Sequence, residues 1–116
     1  MLSINKTAKG NHLTIKLKGE VDASNSVELD EVIQEALNAK RKYILIDGNE
    51  LDYISSAGLG VFMSYIDDFK SKNIKMVIYG LSEKVLNVFQ ILGLDQLMTI
   101  ASDKKEAKEK LHEVQS

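Results

Sequence analysis

The sequence predicts a single-domain α/β protein with a central mixed, mostly parallel sheet of about five strands and about four helices, in the order ββαβαβαβα. Three observations carry this. Two N-terminal runs read as strands and meet at Gly10-Asn11, a turn signal. After them, short apolar runs alternate with stretches whose apolar residues recur at helical spacing. No proline, repeat or low-complexity tract divides the 116 residues, so residues 1–116 read as one domain. Strand–helix alternation favours mostly parallel central strands joined by right-handed crossovers.

Leu2 to Ala8 alternates weakly and suits an edge strand. His12 to Lys18 alternates cleanly, with Leu13, Ile15 and Leu17 on one face and Thr14, Lys16 and Lys18 on the other, and completes a hairpin. Gly19-Glu20-Val21-Asp22 is expected to leave the sheet. Asn25 suits an N-cap, with Glu28 as its capping-box partner. Leu29, Val32, Ile33, Ala36 and Leu37 then keep a helical stripe, and the basic residues among Asn38 to Lys42 suit its C-terminus. Tyr43 to Ile46 reads as a strand covered on both faces, ended by Asp47 and Gly48.

The next helix carries Leu59, Phe62, Met63, Ile66 and Phe69, is strongest over Val61 to Lys70, and closes near Ser71. Lys75 to Tyr79 is a further buried strand, closed by Gly80. Ser82 caps a third helix with Val85, Leu86, Phe89 and Leu92 inward, and Gly93 with Leu94 closes it. Leu97 to Ile100 reads as the last strand. Ser102 or Asp103 caps a final helix with a thin face of Ala107, Leu111 and Val114.

Composition narrows the function. The chain is 44% apolar and 28% charged, with net charge −2, and no apolar run approaches the ~20 residues of a membrane helix. No secretory signal is evident, so the expectation is a cytoplasmic protein without membrane insertion. The absence of cysteine excludes disulfides and thiolate metal sites. Fifteen basic residues lie scattered among seventeen acidic ones, which argues against a nucleic-acid partner. His12 falls on a strand and His112 on the final helix, and neither neighbours a second metal ligand. No hydrolase elbow, phosphate-binding P-loop or dinucleotide fingerprint is present. The expectation is no catalytic residue, no metal and no cofactor.

What remains is the turn Asn49 to Gly60, N-E-L-D-Y-I-S-S-A-G-L-G, read as a loop between strand and helix. Helix N-termini offer unpaired N–H groups and partial positive charge, which suit an anion. A hydroxyl there can cap the helix, meet a partner or carry a phosphoryl group. Gly58 and Gly60 leave bare backbone for close approach. On local pattern alone, Ser56 reads first as a plain helix cap, a role compatible with the others.

G-E-V-D at Gly19 to Asp22 and Y-I-S-S-A-G-L-G at Tyr53 to Gly60, on this element order, resemble the STAS domain. More narrowly the chain is similar to the single-domain bacterial anti-sigma factor antagonists, over nearly its whole length and including F-Q-I-L-G-L at Phe89 to Leu94. The resemblance implies a regulatory binding protein, not an enzyme. Unphosphorylated, it binds an anti-sigma factor that is also an ATP-dependent serine kinase, and so releases a sigma factor. Phosphorylation switches it off and a metal-dependent serine phosphatase resets it. By position the acceptor is Ser56. The family usually has an aspartate before it and a serine or threonine after it. Here Ser55 and Ala57 stand there, which makes Ser55 an alternative acceptor. The implied partner surface is Asp22, Ser55, Ser56, Ala57, Gly58, Leu59 and Gly60. Asp22 reads equally as a loop residue that caps backbone N–H groups. The alternative function is an unphosphorylated STAS scaffold or subunit of a transport or sensory complex. A third is a nucleotide-binding enzyme using the glycine turn.

Overall fold

A computed structural model of the chain describes residues 1–113. Ten elements follow one another: β1 (Leu2–Lys9), β2 (His12–Val21), α1 (Ser26–Asn38), β3 (Tyr43–Ile54), α2 (Ser56–Ser71), β4 (Lys75–Tyr79), α3 (Glu83–Ile91), α4 (Leu94–Leu97), β5 (Thr99–Ala101) and α5 (Lys104–Glu113). The sheet order is β1-β2-β3-β4-β5. β1 pairs antiparallel with β2, and every other pairing is parallel. The mixed, mostly parallel sheet and the element order agree with the sequence. The additional helix is α4, a single turn where the last strand was expected to begin, so β5 starts at Thr99.

The larger departure lies in β2 and β3. Both were expected to stop early, at Lys18 and Ile46, yet they run on together to Val21 and Ile54. Each supplies the other's ladder: Lys18 opposes Glu50, Gly19 opposes Leu51, and Val21 opposes Ile54. Register shifts fall between Lys16 and Lys18 and between Gly19 and Glu20, and Gly19 sits at the second with φ of 102°. A bulge of this kind hides a strand from a reading based on strict alternation.

The stripe of α1 is as expected: Leu29, Val32, Ile33, Ala36 and Leu37 are all buried. Its cap is not. The Asn25 side chain makes no capping bond. Its Oδ1 instead accepts from the Asp22 N–H at 2.9 Å and its Nδ2 donates to the Glu20 carbonyl at 3.0 Å. The capping box with Glu28 is therefore not formed, because Asn25 is spent on the loop before the helix. On α2 the buried set is Gly58, Leu59, Phe62, Tyr65 and Phe69. Met63 is exposed, so the inward stripe is rotated from the expected one. Ser82 caps α3 as expected, accepting from the Val85 N–H at 3.2 Å. Leu92 is exposed, since Gly93 (φ 74°) turns the chain and buries Leu94 instead. Asp103 caps α5, its Oδ1 accepting from the Glu106 N–H at 2.8 Å. Ala107 and Leu111 are fully buried, and Val114 lies outside the described residues.

Helices α1 to α4 pack the main core onto one face of the sheet, built around Ile15, Leu17, Ile46, Phe62 and Phe89. The other face carries a smaller cluster in which Leu45, Val77 and Tyr79 meet Ala107 and Leu111 of α5. The thin apolar face of α5 matches this small share.

Two buried phenols give the fold an alkaline limit. The Tyr65 hydroxyl donates to Asp30 Oδ1 at 2.8 Å. Burial and then Asp30 push its pKa up to about 12. Burial and then Asp47 push Tyr79 to about 12 as well. Below about pH 10 both are neutral in folded and unfolded chains alike. Above it the unfolded chain ionises first and binds fewer protons, so stability falls as pH rises through this window towards 12. Urea midpoints measured at pH 9 and 11 should show the fall, and Tyr65→Phe should make it shallower. Equal slopes for the two proteins would deny Tyr65 this role.

Candidate functional site

The extension of β2 and β3 leaves almost no loop before α2. Ile54 pairs with Val21, and the Ser55 N–H donates to the Val21 carbonyl at 2.8 Å. Ser55 is still extended (φ −88°, ψ 174°), and α2 begins at Ser56. So Ser55 occupies the N-cap position and Ser56 the first helical one. Ser56 is therefore not the cap. Ser55 does not cap with its side chain either: its Oγ is buried and has no hydrogen-bond partner among the described residues. The first-turn amides of α2 lack a side-chain acceptor, and the exposed Ser56 hydroxyl stands beside them in the partial positive charge of the helix end.

The two glycines differ in kind. Gly58 is buried. A Cβ there would lie 2.6 Å from Val21 Cγ1 and 2.7 Å from Ile54 Cγ1. Its bareness lets the helix sit on the ends of β2 and β3, and does not serve a visitor from outside. Gly60 is exposed, and a Cβ there would meet nothing within 4 Å. Leu59 is buried and Ala57 half-buried.

Asp22 follows Val21, whose carbonyl holds Ser55, so its backbone is next to the serine turn. Its Oδ1 accepts from the Ser24 N–H at 2.9 Å and from the Ser24 hydroxyl, and these bonds hold the carboxyl below the usual carboxylate range. The reading of Asp22 as a residue that caps a backbone N–H is thus met, and its backbone also lies beside the turn.

Three exposed apolar side chains escaped the sequence reading. Ser56, Gly60 and Met63 stand at i, i+4 and i+7 on one exposed stripe of α2. Tyr53 lies two residues before Ser55, and Val27 in the first turn of α1; Met63 is 47% exposed and Val27 62%. The only available signal was that Met63 is apolar, and that was read as inward. Gly58 rather than Met63 takes the place against the strands.

His12 and His112, each read as having no second ligand beside it, come together with Tyr43: ring centroids are 4.7 Å apart for His12–Tyr43, 5.1 Å for Tyr43–His112 and 5.5 Å for the two histidines. Among the described residues no group of three or more His, Asp or Glu is placed to hold a metal. The trio joins the C-terminal part of α5 to the start of β2 and β3.

The STAS domain family profile matches residues 3–107. The chain belongs to the STAS domain family. A relative in Listeria monocytogenes, named anti-sigma-B factor antagonist, is 32% identical over 90 residues, covering 77% of this chain and 78% of the relative. An anti-sigma factor antagonist from Mycobacterium paratuberculosis shares the fold with a TM-score of 0.87 at 12% identity, covering 97% of this chain and 95% of that one. The anti-sigma factor antagonist SpoIIAA in its unphosphorylated form gives 0.78 at 20% identity, covering 98% of each chain. Its phosphorylated form from Bacillus gives 0.69, also at 20%, covering 96% of this STAS chain and 99% of that one. Among the described residues no helix is long and apolar enough to cross a membrane.

Proposed function

We propose that this STAS protein is an anti-sigma factor antagonist that works by binding and is switched by phosphorylation at Ser56. One observation carries the choice of site: the Ser56 hydroxyl is exposed at an uncapped helix N-terminus, whereas the neighbouring Ser55 oxygen is buried. A kinase can reach the first without unfolding anything and cannot reach the second. In the unphosphorylated state an anti-sigma factor serine kinase docks on the α2 stripe of Ser56, Gly60 and Met63 with Asp22, Ala57 and Tyr53 at its edge, and its sigma factor is released. The kinase then transfers the γ-phosphoryl group of ATP to Ser56 Oγ, the hydroxyl proton leaves, and ADP departs. A metal-dependent serine phosphatase hydrolyses the ester and restores binding. The relatives named as antagonists, and the two forms in which SpoIIAA is known, support this reading. It places the protein in the cytoplasm.

The fold should accept the modification. A phosphoserine carries about −1.5 to −2 charges, and a helix N-terminus stabilises such a charge by ~0.3–1 kcal/mol. The test is the intact mass of the protein recovered from its own cells, with fragment mapping. One phosphoryl group on Ser56 is expected. A group on Ser55 would overturn the assignment of the acceptor. Its absence under both growth and stress would favour an unphosphorylated scaffold or subunit role instead.

A further inference from the structure

The cations that are dispersed along the sequence gather in space at the pole opposite the serine turn. β3 starts at that pole with Tyr43 and ends at the serine turn with Ile54, so its whole length separates the two. Two adjoining hollows, of about 480 and 540 Å³, open where α1 and α2 end and β3 and β4 begin. Lys40, Arg41, Lys42 and Lys72 line the first, and Lys42, Lys70 and Lys75 the second. Six of the fifteen basic residues therefore share one basin, and among the described residues no acidic one lines it. Among the described residues none of the six is in an ion pair, whereas Lys6 and Lys16 hold Glu35 and Glu50 at 3.1 and 2.6 Å.

Cations at helix C-termini complement the helix dipole, but each end offers only about half a negative charge. Two helix ends do not account for six positive charges. Like charges held together raise the local potential and attract counter-ions. The basin is also built to hold its shape. The Lys75 N–H donates to the Lys42 carbonyl at 2.9 Å, the Ile74 N–H to Phe69 at 2.8 Å, and Arg41 Nη1 to the Gly10 carbonyl at 2.7 Å. Lys40 adopts φ of 58° just past the end of α1, where glycine is the usual residue. Ile74, buried, forms a wall common to both hollows, with Leu37 in one and Phe69 in the other, so the floor is apolar beneath a cationic rim. Ligand clefts commonly have this volume, and a cationic rim favours an anion.

We propose that this basin binds a small molecule carrying two or more phosphoryl groups, at a site separate from the Ser56 surface. Its two hollows offer cations on both sides of Lys42, which matches linked phosphoryl groups better than one isolated anion. The probe is sodium tripolyphosphate, followed by amide NMR shifts of the full chain in about 50 mM salt, where surface charges are weakly screened. Saturable shifts are expected over Lys40–Tyr43 and Lys70–Lys75, with Ser55–Gly60 unmoved. The double variant Lys40→Gly, Lys72→Gln should bind about tenfold more weakly, the loss of two modest charge contacts. It should fold at least as well as wild type, because glycine relieves the backbone of residue 40. Lys104→Gln with Lys105→Gln, the same charge change at the start of α5, should alter affinity less than about twofold. Non-saturable shifts, shifts centred on the serine turn, or an equal loss in the α5 variant would overturn the proposal. So would a hexaglutamate peptide that moves the basin amides while tripolyphosphate leaves them unmoved.

Discussion

Ser56→Asp should abolish most of the capture of the cognate anti-sigma factor, by about a hundredfold, with the fold intact. The hydroxyl is exposed, so the carboxylate makes no clash, and at the start of α2 it sits in favourable helix-end potential. In the proposed complex the same charge would be covered by a partner. An uncompensated charge at an interface costs ~3 kcal/mol or more, which is about a hundredfold in affinity. Ser56→Ala should bind like the unphosphorylated protein and never switch off. Ser55→Ala is the discriminating companion. The Ser55 oxygen is buried and unpartnered, so its removal leaves no orphan and should stabilise the fold by up to ~1 kcal/mol. It should still be phosphorylated at residue 56. Calorimetry or surface binding of the three variants against the same anti-sigma factor decides the matter. Wild-type affinity in Ser56→Asp would sink the switch, and lost phosphorylation in Ser55→Ala would move the acceptor by one residue.

The contrast between the two serines was beyond the sequence. Local pattern gave two adjacent hydroxyls before a helix and could not say which one faces outward. That depends on the ladder: because Ser55 donates its N–H to Val21, it completes the strand, and its side chain falls inside. The same ladder is why the expected loop from Asn49 onward vanished into β3. Elements with strong periodicity were legible. The α1 stripe appears as read, since five buried residues at helical spacing leave one arrangement. The α2 stripe was misread because glycine has no hydropathy. Gly58 takes an inward position on packing grounds, and the reading assigned inwardness to Met63 instead. The histidines and the basic basin were illegible for a further reason. Each joins residues distant in sequence: His12 with His112, met where α5 packs back on the sheet, and Lys40–Lys42 with Lys70–Lys75, met where the parallel strands β3 and β4 start at the same edge.

Gly58→Ala should destabilise the protein by ~1–2 kcal/mol although alanine is the better helix former. In an open helical position the change gains about 1 kcal/mol. Here the new methyl would stand 2.6 Å from Val21 and 2.7 Å from Ile54, far inside contact distance. Both neighbours are β-branched and buried at the ends of paired strands, so neither has a free rotamer into which to withdraw. Overpacking costs ~1–3 kcal/mol, and two contacts this short against stiff buried side chains put it at ~2–3 kcal/mol, which outweighs the propensity gain. Gly60→Ala is the control on the same helix turn. Its methyl meets nothing, so it should gain the full propensity term and melt higher than wild type. Urea unfolding should therefore separate the two variants by about 2–3 kcal/mol in opposite directions. Their effects on function should also differ. Gly58→Ala lifts the start of α2 from the strands and so moves Ser56, which should slow its phosphorylation even in folded protein. Gly60→Ala leaves Ser56 in place and adds a methyl group to the exposed stripe, so any loss it causes should appear in partner binding and leave phosphorylation by a short excess of kinase unchanged. Equal stability of the two variants would mean that α2 can pivot at its first turn, and Gly58 would then join Gly60 as a residue kept bare for a partner.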